Sequence, residues 1–597
     1  MTAPNRNTLW ATAIVDELAK AGLDRIVIAP GSRSTPLTVA AAQDERIRTF
    51  SHLDERSAAF FALGQGRRSG RPSAVLSTSG TAAANFHPAV IEAHQGRVPL
   101  LVLTADRPPE LWDSGANQTI DQQDLYGDAP RAAKTLTEPE PTARKLRSLR
   151  TTVARAVADT TGSYPGPVHL NVPFRKPLPP VEVADDVPAG LGERARTAVH
   201  GRDGPFVARH SGDTPTEPSI ETLLEALEGA DRGLIVAGPA GTARSVPAAV
   251  ATLARRLDMP LLADPLSGLR FGPQVADAPV VGGYDGYLES EAVSAWPDPD
   301  LVVRIGASPT SKVLRSYLQD AAGRQFLVDP AAKWREATFT ATDVVQAAPG
   351  PLAEALLDRL DPVENQVWID RFERAEAVHW EAVAEAVPET AGAAEDQAKP
   401  GAWEGWIPQV MIASSPDPAT VFVSNSMPVR DMDRFGEPHT GDLTVLGNRG
   451  ASGIDGITST GLGAGSVTDE PVAILVGDLA FFHDTNGLLA LDRFDLDATI
   501  VLVNNDGGGI FHMLPIEDFD PPFEEQFKTP HGLAFEPLGD VYGFEYARVS
   551  DPAGFGDAYS ESMSRGGTQV IEVRTDAERS HRTREALAET VAERLAD

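Results

Sequence analysis

Two short motifs contain the oxygen donors that a hard divalent cation prefers. The first motif is Gly477-Asp478 and the second, after 25 intervening residues, is Asn504-Asn505. Each motif ends a run of apolar residues that predicts a buried strand. Magnesium usually takes one carboxylate, a few amide or backbone oxygens and the phosphates of a ligand. We therefore predict that Asp478, Asn505 and the carbonyl oxygen of Gly507 bind one cation together with a diphosphate.

Three consecutive glycines, Gly507-Gly508-Gly509, follow the second motif. Glycine lets a backbone approach phosphate oxygens closely, which fits a diphosphate at this place. Either motif alone is common at the end of a strand, so two unrelated loops are the simpler interpretation of each. Their spacing after two strands favours the shared cation site.

A candidate catalytic acid lies in the first third of the chain. The segment His52-Leu53-Asp54-Glu55-Arg56 ends one predicted strand and opens a helix. Asp54 is a good N-cap and an acidic first turn suits the helix dipole, so an ordinary helix start is one interpretation. The distant cation motif favours the second interpretation, in which Glu55 is catalytic.

A further set of polar residues falls in or beside predicted strand-end loops, and five of its members are cationic. Arginine binds carboxylate bidentately, and a charge-assisted hydrogen bond contributes about 1.5–3 kcal/mol net. Taken singly, each cation is a surface residue beside an abundant acid; as a set they indicate substrates with several carboxylates. The set is Ser32, Arg33, Arg107, Gln118, Lys312, Ser426, Arg430 and Arg449.

Short apolar runs alternate with longer helical segments along the whole chain, which is typical of parallel sheets covered on both faces. The pattern is interrupted from Pro177 to about Thr216 and from Glu385 to Pro400, where we predict linkers. The sequence therefore predicts an α/β protein with three consecutive doubly wound parallel-sheet domains. The predicted domains are residues 1–185, 216–365 and 400–597.

The chain is strongly acidic, with 85 Asp and Glu against 52 Lys and Arg, a net charge of −33, and only eight lysines. This charge repels nucleic acid and anionic membranes, and it is typical of proteins hydrated in molar salt, so we predict a halophilic source. An acidic protein from ordinary salt is the alternative. Cysteine is absent, which removes thiolate chemistry. Without a long apolar run or signal-peptide features, we predict a cytoplasmic protein without membrane insertion.

Four segments resemble the 2-succinyl-5-enolpyruvyl-6-hydroxy-3-cyclohexene-1-carboxylate synthase family of the menaquinone pathway, whose members use thiamine diphosphate. The cation motif also resembles that of thiamine-diphosphate enzymes, although Leu479 stands where glycine is usual. The similarity covers the whole chain and is weakest in its middle third. The four segments are residues 29–37 (APGSRSTPL), 79–85 (SGTAAAN), 104–108 (TADRP) and 448–456 (NRGASGIDG).

The resemblance implies roles around the cofactor. Glu55 would hydrogen-bond N1′ of the aminopyrimidine ring and so activate the cofactor, which the cation motif would hold through Mg²⁺ or Mn²⁺. Ile454 would keep the cofactor in its V-shaped form. Ile510 and Phe511 would form an apolar wall beside the thiazolium ring, where low polarity favours loss of carbon dioxide. Each of these three side chains is about as easily explained by core packing.

The resemblance also implies the reaction, in which 2-oxoglutarate is decarboxylated and its four-carbon remainder is added to isochorismate. A second basic residue often follows Lys312 in the family, but here it is Val313, which leaves the role of the central domain open. Family active sites lie between subunits, so we expect a homodimer or homotetramer. The resemblance assigns Ser426, Arg430 and Arg449 to 2-oxoglutarate, and Ser32, Arg33, Arg107, Gln118 and Lys312 to isochorismate.

Two other functions fit parts of the sequence. Another thiamine-diphosphate enzyme, such as a 2-oxo acid decarboxylase or an acetolactate-synthase-like carboligase, would share the cofactor motifs but needs fewer cations for its small monocarboxylates. A non-catalytic scaffold that retains the fold would not need both Glu55 and Asp478. The identity of the product distinguishes the synthase from another thiamine-diphosphate enzyme. Cation-dependent binding of the cofactor distinguishes the synthase from a non-catalytic scaffold.

Overall fold

The computed structural model describes residues 3–210, 212, 214–243, 248–321, 323–387 and 403–596. Contacts between residues group the chain into two units. The first unit contains Met1–Gly212, Arg449–Thr468 and Asp484–Phe494, and the second contains Asp213–Asn448, Asp469–His483 and Asp495–Asp597.

A six-stranded parallel sheet forms the centre of the first unit, with the strand order β2-β1-β3-β4-β6-β5. Three of its four inner strands are buried along their whole length, as their apolar sequences predict. Its strands are β1 Arg25–Ile28, β2 Arg48–Ser51, β3 Ser73–Ser77, β4 Leu100–Asp106, β5 Ala132–Thr135 and β6 Pro167–Pro173. The helices around it are α1 Arg6–Lys20, α2 Thr35–Gln43, α3 Glu55–Ser69, α4 Thr81–Ala84, α5 His87–Gly96, α6 Ala143–Asp159, α7 Leu191–Arg194 and α8 Arg196–His200.

The second unit contains two further parallel sheets of six strands, ordered β12-β11-β10-β7-β8-β9 and β14-β13-β15-β16-β18-β17. The strands of the first of these are β7 Gly233–Ala237, β8 Leu261–Ala263, β9 Val280–Val281, β10 Leu301–Ile305, β11 Arg324–Val328 and β12 Asp343–Val345. Those of the other are β13 Ala419–Val423, β14 Leu443–Gly447, β15 Val472–Gly477, β16 Ala498–Asn504, β17 Glu545–Val549 and β18 Thr568–Arg574.

Fourteen more helices follow α8 in the described residues. They are α9 Glu217–Glu228, α10 Ala249–Arg256, α11 Glu291–Ser294, α12 Lys312–Asp320, α13 Pro349–Leu357, α14 Gln366–Ala386, α15 Trp406–Ser414, α16 Met427–Phe435, α17 Ile457–Gly465, α18 Asp478–His483, α19 Ala490–Phe494, α20 Leu538–Tyr542, α21 Pro552–Ser564 and α22 Ala577–Ala596. Helices α17 and α19 belong to the first unit. No helix in the described parts of the chain is long and apolar enough to cross a membrane.

Three parallel sheets confirm the predicted fold class. The linker predicted from Pro177 to Thr216 differs in one respect, because it contains the short helices α7 and α8. Most of the second predicted linker, residues 388–400, lies outside the described residues. The exact domain boundaries stay a prediction.

Helices α3 and α17 of the first unit pack backbone against backbone. A Cβ atom added at Gly64 would lie 2.0 Å from the carbonyl oxygen of Thr460. A Cβ atom at Gly463 would likewise lie 2.0 Å from the carbonyl oxygen of Phe61. Glycine is therefore required on both helices, since any side chain would push the two backbones apart.

We expect Gly463→Ala to lower the free energy of unfolding by about 1–3 kcal/mol, because the methyl group overpacks a backbone contact that cannot move alone. Denaturant titration in molar salt measures this difference. Gly204→Ala is the matched control in the same unit, since no described atom lies within 4 Å of a Cβ there. Equal stabilities of the two variants would contradict the close contact.

Candidate active site

The two halves of the cation motif follow neighbouring strands of the third sheet. Strands β15 and β16 pair in parallel, with Gly477 opposite Val503, so Asp478 and Asn505 follow them at the same carboxyl edge. The Asp478 side chain is buried and accepts hydrogen bonds from the backbone N–H groups of Leu479 (2.7 Å) and Gly507 (3.0 Å). Asp478 and Gly507 are therefore in contact through the Gly507 N–H, while the binding of a cation by the Gly507 carbonyl oxygen stays a prediction.

In the side-chain amide of Asn505, the nitrogen has a hydrogen-bond partner and the oxygen has none among the described residues. Its Nδ2 donates to Glu404 Oε1 at 2.6 Å. Its Oδ1 is buried and has no hydrogen-bond partner within the part of the chain that the structure describes. A buried amide oxygen without a donor is costly unless a ligand satisfies it. This oxygen and the Asp478 carboxylate are the donor types that a hard cation takes.

His531 is a neighbour of Asp478 that the sequence did not indicate. Its Nε2 lies 3.2 Å from Asp478 Oδ2. The neighbouring Asp478 carboxylate raises the pKa of His531 above its ordinary value, although burial opposes this. No short motif links the two residues along the chain, so only the fold brings the imidazole to this carboxylate.

Protein backbone packs closely against the first of the three glycines that follow Asn505. Gly507 has a φ of 139°, and a Cβ atom there would lie 2.1 Å from the carbonyl oxygen of Lys528. A close turn thus requires glycine at this position independently of any ligand. Beyond it, Ile510 and Phe511 are half-buried in a 3₁₀ turn, and the Phe511 ring contacts the Phe527 ring at 5.5 Å.

Glu55 is the first residue of α3, as the sequence predicted. Asp54 caps the helix by accepting from the backbone N–H of Ser57 at 3.1 Å, and Asn486 donates to the other Asp54 oxygen at 2.8 Å. Glu55 itself is half-buried. Burial lowers the pKa of His52, at the end of β2, to about 4, so its imidazole is neutral at physiological pH.

A second carboxylate that the sequence did not indicate, Asp484, joins the first turns of α3 and α17. It is fully buried and accepts from the Ser57 hydroxyl at 3.2 Å and from the Ser459 backbone N–H at 2.7 Å. The N-cap of α17 is Gly456, which has no side chain, so Asp484 serves as an external cap. Ile454 lies two residues before Gly456 and is half-buried.

Two of the predicted anion-binding arginines are close to each other in the first unit. Arg33 is 6% exposed and donates to the carbonyl of Phe174 at 2.6 Å, while Arg107 donates to the carbonyl of Asn117 at 2.8 Å. Burial and the Arg107 charge lower the pKa of Arg33, and Asp106 partly offsets them. Two cations this close suit an anionic ligand.

Gln118 and Ser32 also lie in the first unit, but in different surroundings. Gln118 has a positive φ of 55° and donates from its side-chain amide to the carbonyl of Ser79 at 3.0 Å. This bond holds it against the loop before α4. Ser32 is exposed next to Arg33.

The remaining predicted anion ligands are distributed over both units. Ser426 precedes α16 with a φ of 69°, a conformation that serine rarely adopts, and its carbonyl accepts from Arg430 at 2.6 Å. The structure thus places these two residues together. Lys312 is the exposed first residue of α12, and Arg449 is half-buried in the first unit.

Comparison with known families identifies the two ends of the chain. Residues 10–125 match the N-terminal TPP binding domain of thiamine pyrophosphate enzymes, and residues 442–573 match the C-terminal TPP binding domain. The chain is 58% identical to a 2-succinyl-5-enolpyruvyl-6-hydroxy-3-cyclohexene-1-carboxylate synthase of Haloarcula marismortui, covering 100% of each sequence. It is 60% identical to that of Halobacterium salinarum over 99% of each sequence, and 45% identical to that of a Roseiflexus species over 98% of each.

The chain belongs to this synthase family. It is therefore a thiamine-diphosphate-dependent enzyme, and its relatives include proteins of several salt-loving genera. Two solved structures share the fold at a TM-score of 0.69, with 95% of this chain and 99% of the other covered. They are a 4-hydroxybenzoylformate decarboxylase of Rhodococcus jostii, 17% identical, and a benzoylformate decarboxylase of Polynucleobacter necessarius, 18% identical.

Burial raises the pKa of Asp484 to about 6, from an ordinary value of 3.8. Since the folded-state pKa is raised, protonation stabilises the fold, and this contribution is lost as pH rises through about 6. We expect the stability of the wild type relative to Asp484→Asn to fall by about 1–2 kcal/mol between about pH 5 and about pH 7.5. Denaturant titrations of both proteins at the two pH values measure this. If the difference in stability between the two proteins were the same at both pH values, it would contradict the raised pKa of the buried Asp484 carboxyl group.

Proposed function

We propose that this protein decarboxylates 2-oxoglutarate and adds the four-carbon remainder to isochorismate, giving 2-succinyl-5-enolpyruvyl-6-hydroxy-3-cyclohexene-1-carboxylate. The observation that carries the proposal is full-length similarity, at 58–60% identity, to relatives named for that product. Anion-binding arginines in both units support it, because both substrates carry carboxylates. The absence of cysteine and the acidic composition place no constraint on this chemistry.

We propose that Asp478, Asn505 and the carbonyl oxygen of Gly507 hold Mg²⁺ or Mn²⁺ and, through it, the diphosphate of the cofactor. The buried Asn505 oxygen and the Asp478 carboxylate support this assignment. Among the described residues, no group of three or more His, Cys, Asp or Glu side chains could hold a metal ion. A site with one carboxylate, one amide and one backbone oxygen is compatible with that finding, since ligand phosphates complete the coordination.

When bound, thiamine diphosphate would supply a carbon nucleophile and an electron sink for decarboxylation of the 2-oxo acid. Glu55 is proposed to hold the proton at N1′ of the aminopyrimidine ring. Its place in the first turn of α3 suits a carboxylate, because the helix dipole favours negative charge there. Ile454, Ile510 and Phe511 are proposed to exclude water from the reacting carbons; all three are half-buried, and a ligand could therefore cover their remaining surface.

We propose that Ser426, Arg430 and Arg449 bind the carboxylates of 2-oxoglutarate. The bond from Arg430 to the Ser426 carbonyl supports this, because it fixes a guanidinium beside a strained loop at the carboxyl edge of the third sheet. The residues proposed for isochorismate are Ser32, Arg33, Arg107, Gln118 and Lys312.

A cytoplasmic homodimer or homotetramer is the assembly that we propose. Leu53 and Phe482 adjoin Glu55 and Asp478, two residues of the proposed cofactor site, with 58% and 54% of their surfaces exposed. Large apolar side chains beside such residues are expected to be covered by a second copy. The resemblance to thiamine-diphosphate enzymes, whose sites lie between subunits, supports the same arrangement.

Two alternatives are weaker. The solved structures of benzoylformate-type decarboxylases share the fold alone at 17–18% identity, so they do not argue for that activity. A scaffold without activity would have no need for a buried Asn505 oxygen without a hydrogen-bond partner at the sheet edge where Asp478 follows β15.

Incubation of the protein with thiamine diphosphate, Mg²⁺, 2-oxoglutarate and isochorismate is expected to give the named product, identified by mass spectrometry. Glu55→Gln should retain cofactor binding but lose nearly all turnover, since an amide cannot exchange the proton at N1′ in the same way. Calorimetry measures the binding. Release of succinic semialdehyde alone would favour a simple decarboxylase, and wild-type turnover in Glu55→Gln would remove Glu55 from its role.

Arg430→Ala should raise the KM for 2-oxoglutarate about 10–100-fold, the loss expected for one or two charge-assisted hydrogen bonds, and leave the KM for isochorismate nearly unchanged. Steady-state kinetics with each substrate varied in turn measures both constants. Arg374→Ala, at an exposed position on α14 of the same unit, is the control for loss of charge. An equal rise in both constants would count against the assignment of Arg430.

A further inference from the structure

Asn505 can bind the proposed cation only if the oxygen of its side-chain amide, rather than the NH₂ group, faces that cation. The oxygen binds a hard cation, whereas the NH₂ group is a donor and repels it. The two ends are almost equal in size, so packing alone distinguishes them poorly. A partner that accepts only one end is needed to fix the amide before the cation arrives.

Glu404 is such a partner. Its Oε1 lies 2.6 Å from Asn505 Nδ2, and the Glu404 side chain is almost completely buried. An ionised carboxylate accepts hydrogen bonds but donates none. It can therefore contact the Asn505 nitrogen but not the oxygen, and a flipped amide would place two acceptors in contact.

Glu404 is itself held in place by further buried groups of the second unit. Arg584 donates to Glu404 Oε2 at 2.8 Å, and the Thr575 hydroxyl donates to Oε1 at 3.1 Å. Arg584 also forms two hydrogen bonds with Asp431, at 2.7 and 2.8 Å. The ion pair with Arg584 fixes the second oxygen of Glu404, so that the first remains available to Asn505.

From this geometry we propose that Glu404 is a positioning residue for the cofactor's cation: it turns the Asn505 amide so that Oδ1 faces the metal. The proposal rests on the proposed role of Asn505 as a metal ligand. Partners behind a metal ligand typically contribute about 10–100-fold to metal affinity. The sequence does not indicate Glu404, which lies 101 residues from Asn505 and in no recognisable motif.

The test is calorimetric binding of thiamine diphosphate to the full chain at several Mg²⁺ concentrations. Glu404→Gln keeps the size of the side chain but adds a donor, so both amide orientations of Asn505 become possible. We expect the Mg²⁺ concentration at half-maximal cofactor binding to rise about tenfold or more. Glu589→Gln is the matched control, because it makes the same change at an exposed position on α22 of the same unit, and it should leave that concentration unchanged.

Exchanging the hydrogen-bond donor and acceptor between Asn505 and Glu404 distinguishes a positioning role of Glu404 from a general loss of structure. Asn505→Asp alone places two carboxylates in contact and should weaken Mg²⁺-dependent binding. Adding Glu404→Gln to it supplies an NH₂ group that donates to the newly introduced carboxylate, so the double variant should bind more tightly than either single variant. If the two substitutions were independent structural defects, their losses of Mg²⁺-dependent cofactor binding would add. The double variant would then bind the cofactor more weakly than either single variant.

Asn505→Ala distinguishes failure of this inference from failure of the proposed metal site. Loss of Mg²⁺-dependent binding in Asn505→Ala with no change in Glu404→Gln would overturn the role of Glu404 alone. Unchanged binding in Asn505→Ala would overturn the metal site and this inference together. Thermal unfolding without Mg²⁺ identifies any variant that fails to fold, in which case the exchange variant still decides the question.

Discussion

The pairing of β15 with β16 is the constraint on which the proposed cofactor site depends. Because the strands are parallel and adjacent, the residues that follow them, Asp478 and Asn505, emerge at one edge of the sheet. The hydrogen bond from Gly507 to Asp478 then joins the loop after β16 to the residue after β15. A slip of one residue in this register would turn each side chain to the other face of the sheet.

Buried carboxylates organise both units around the residues proposed to do chemistry. In the second unit, Glu404 contacts Asn505 and is held by Arg584. In the first unit, the buried Asp484 and the half-buried Asp54 fix the first turn of α3, where Glu55 lies. Such groups are costly to bury, and they are retained only where hydrogen bonds satisfy them.

Much of the fold could be predicted because it follows from local patterns. Apolar runs identified the central strands, and the Asp54 cap identified the start of α3 at Glu55. The linker after Pro177 was less predictable, because its Pro- and Gly-rich composition hides the short helices α7 and α8. Short helices in such segments are stabilised by tertiary packing rather than by their own sequence.

The supporting residues of the site could not be predicted, for a physical reason. The bond between Glu404 and Asn505 spans 101 residues, and that between Ser57 and Asp484 spans 427. No periodicity or spacing along the chain records such contacts, because they arise only when separate strands and helices meet. Asp478 and Asn505 were accessible to sequence analysis since each directly follows a strand, and Glu55 since it opens a helix.

The central claim is that Asp478 and Asn505 share one cation with the diphosphate of the cofactor. Crystals grown with Mn²⁺ and thiamine diphosphate test it most directly, because the anomalous signal of manganese locates the ion independently of the protein. We expect one Mn²⁺ peak within about 2.3 Å of an Asp478 carboxylate oxygen, Asn505 Oδ1 and a diphosphate oxygen. A peak beyond reach of either side chain, or bound diphosphate without an ion at this edge of the sheet, would contradict it.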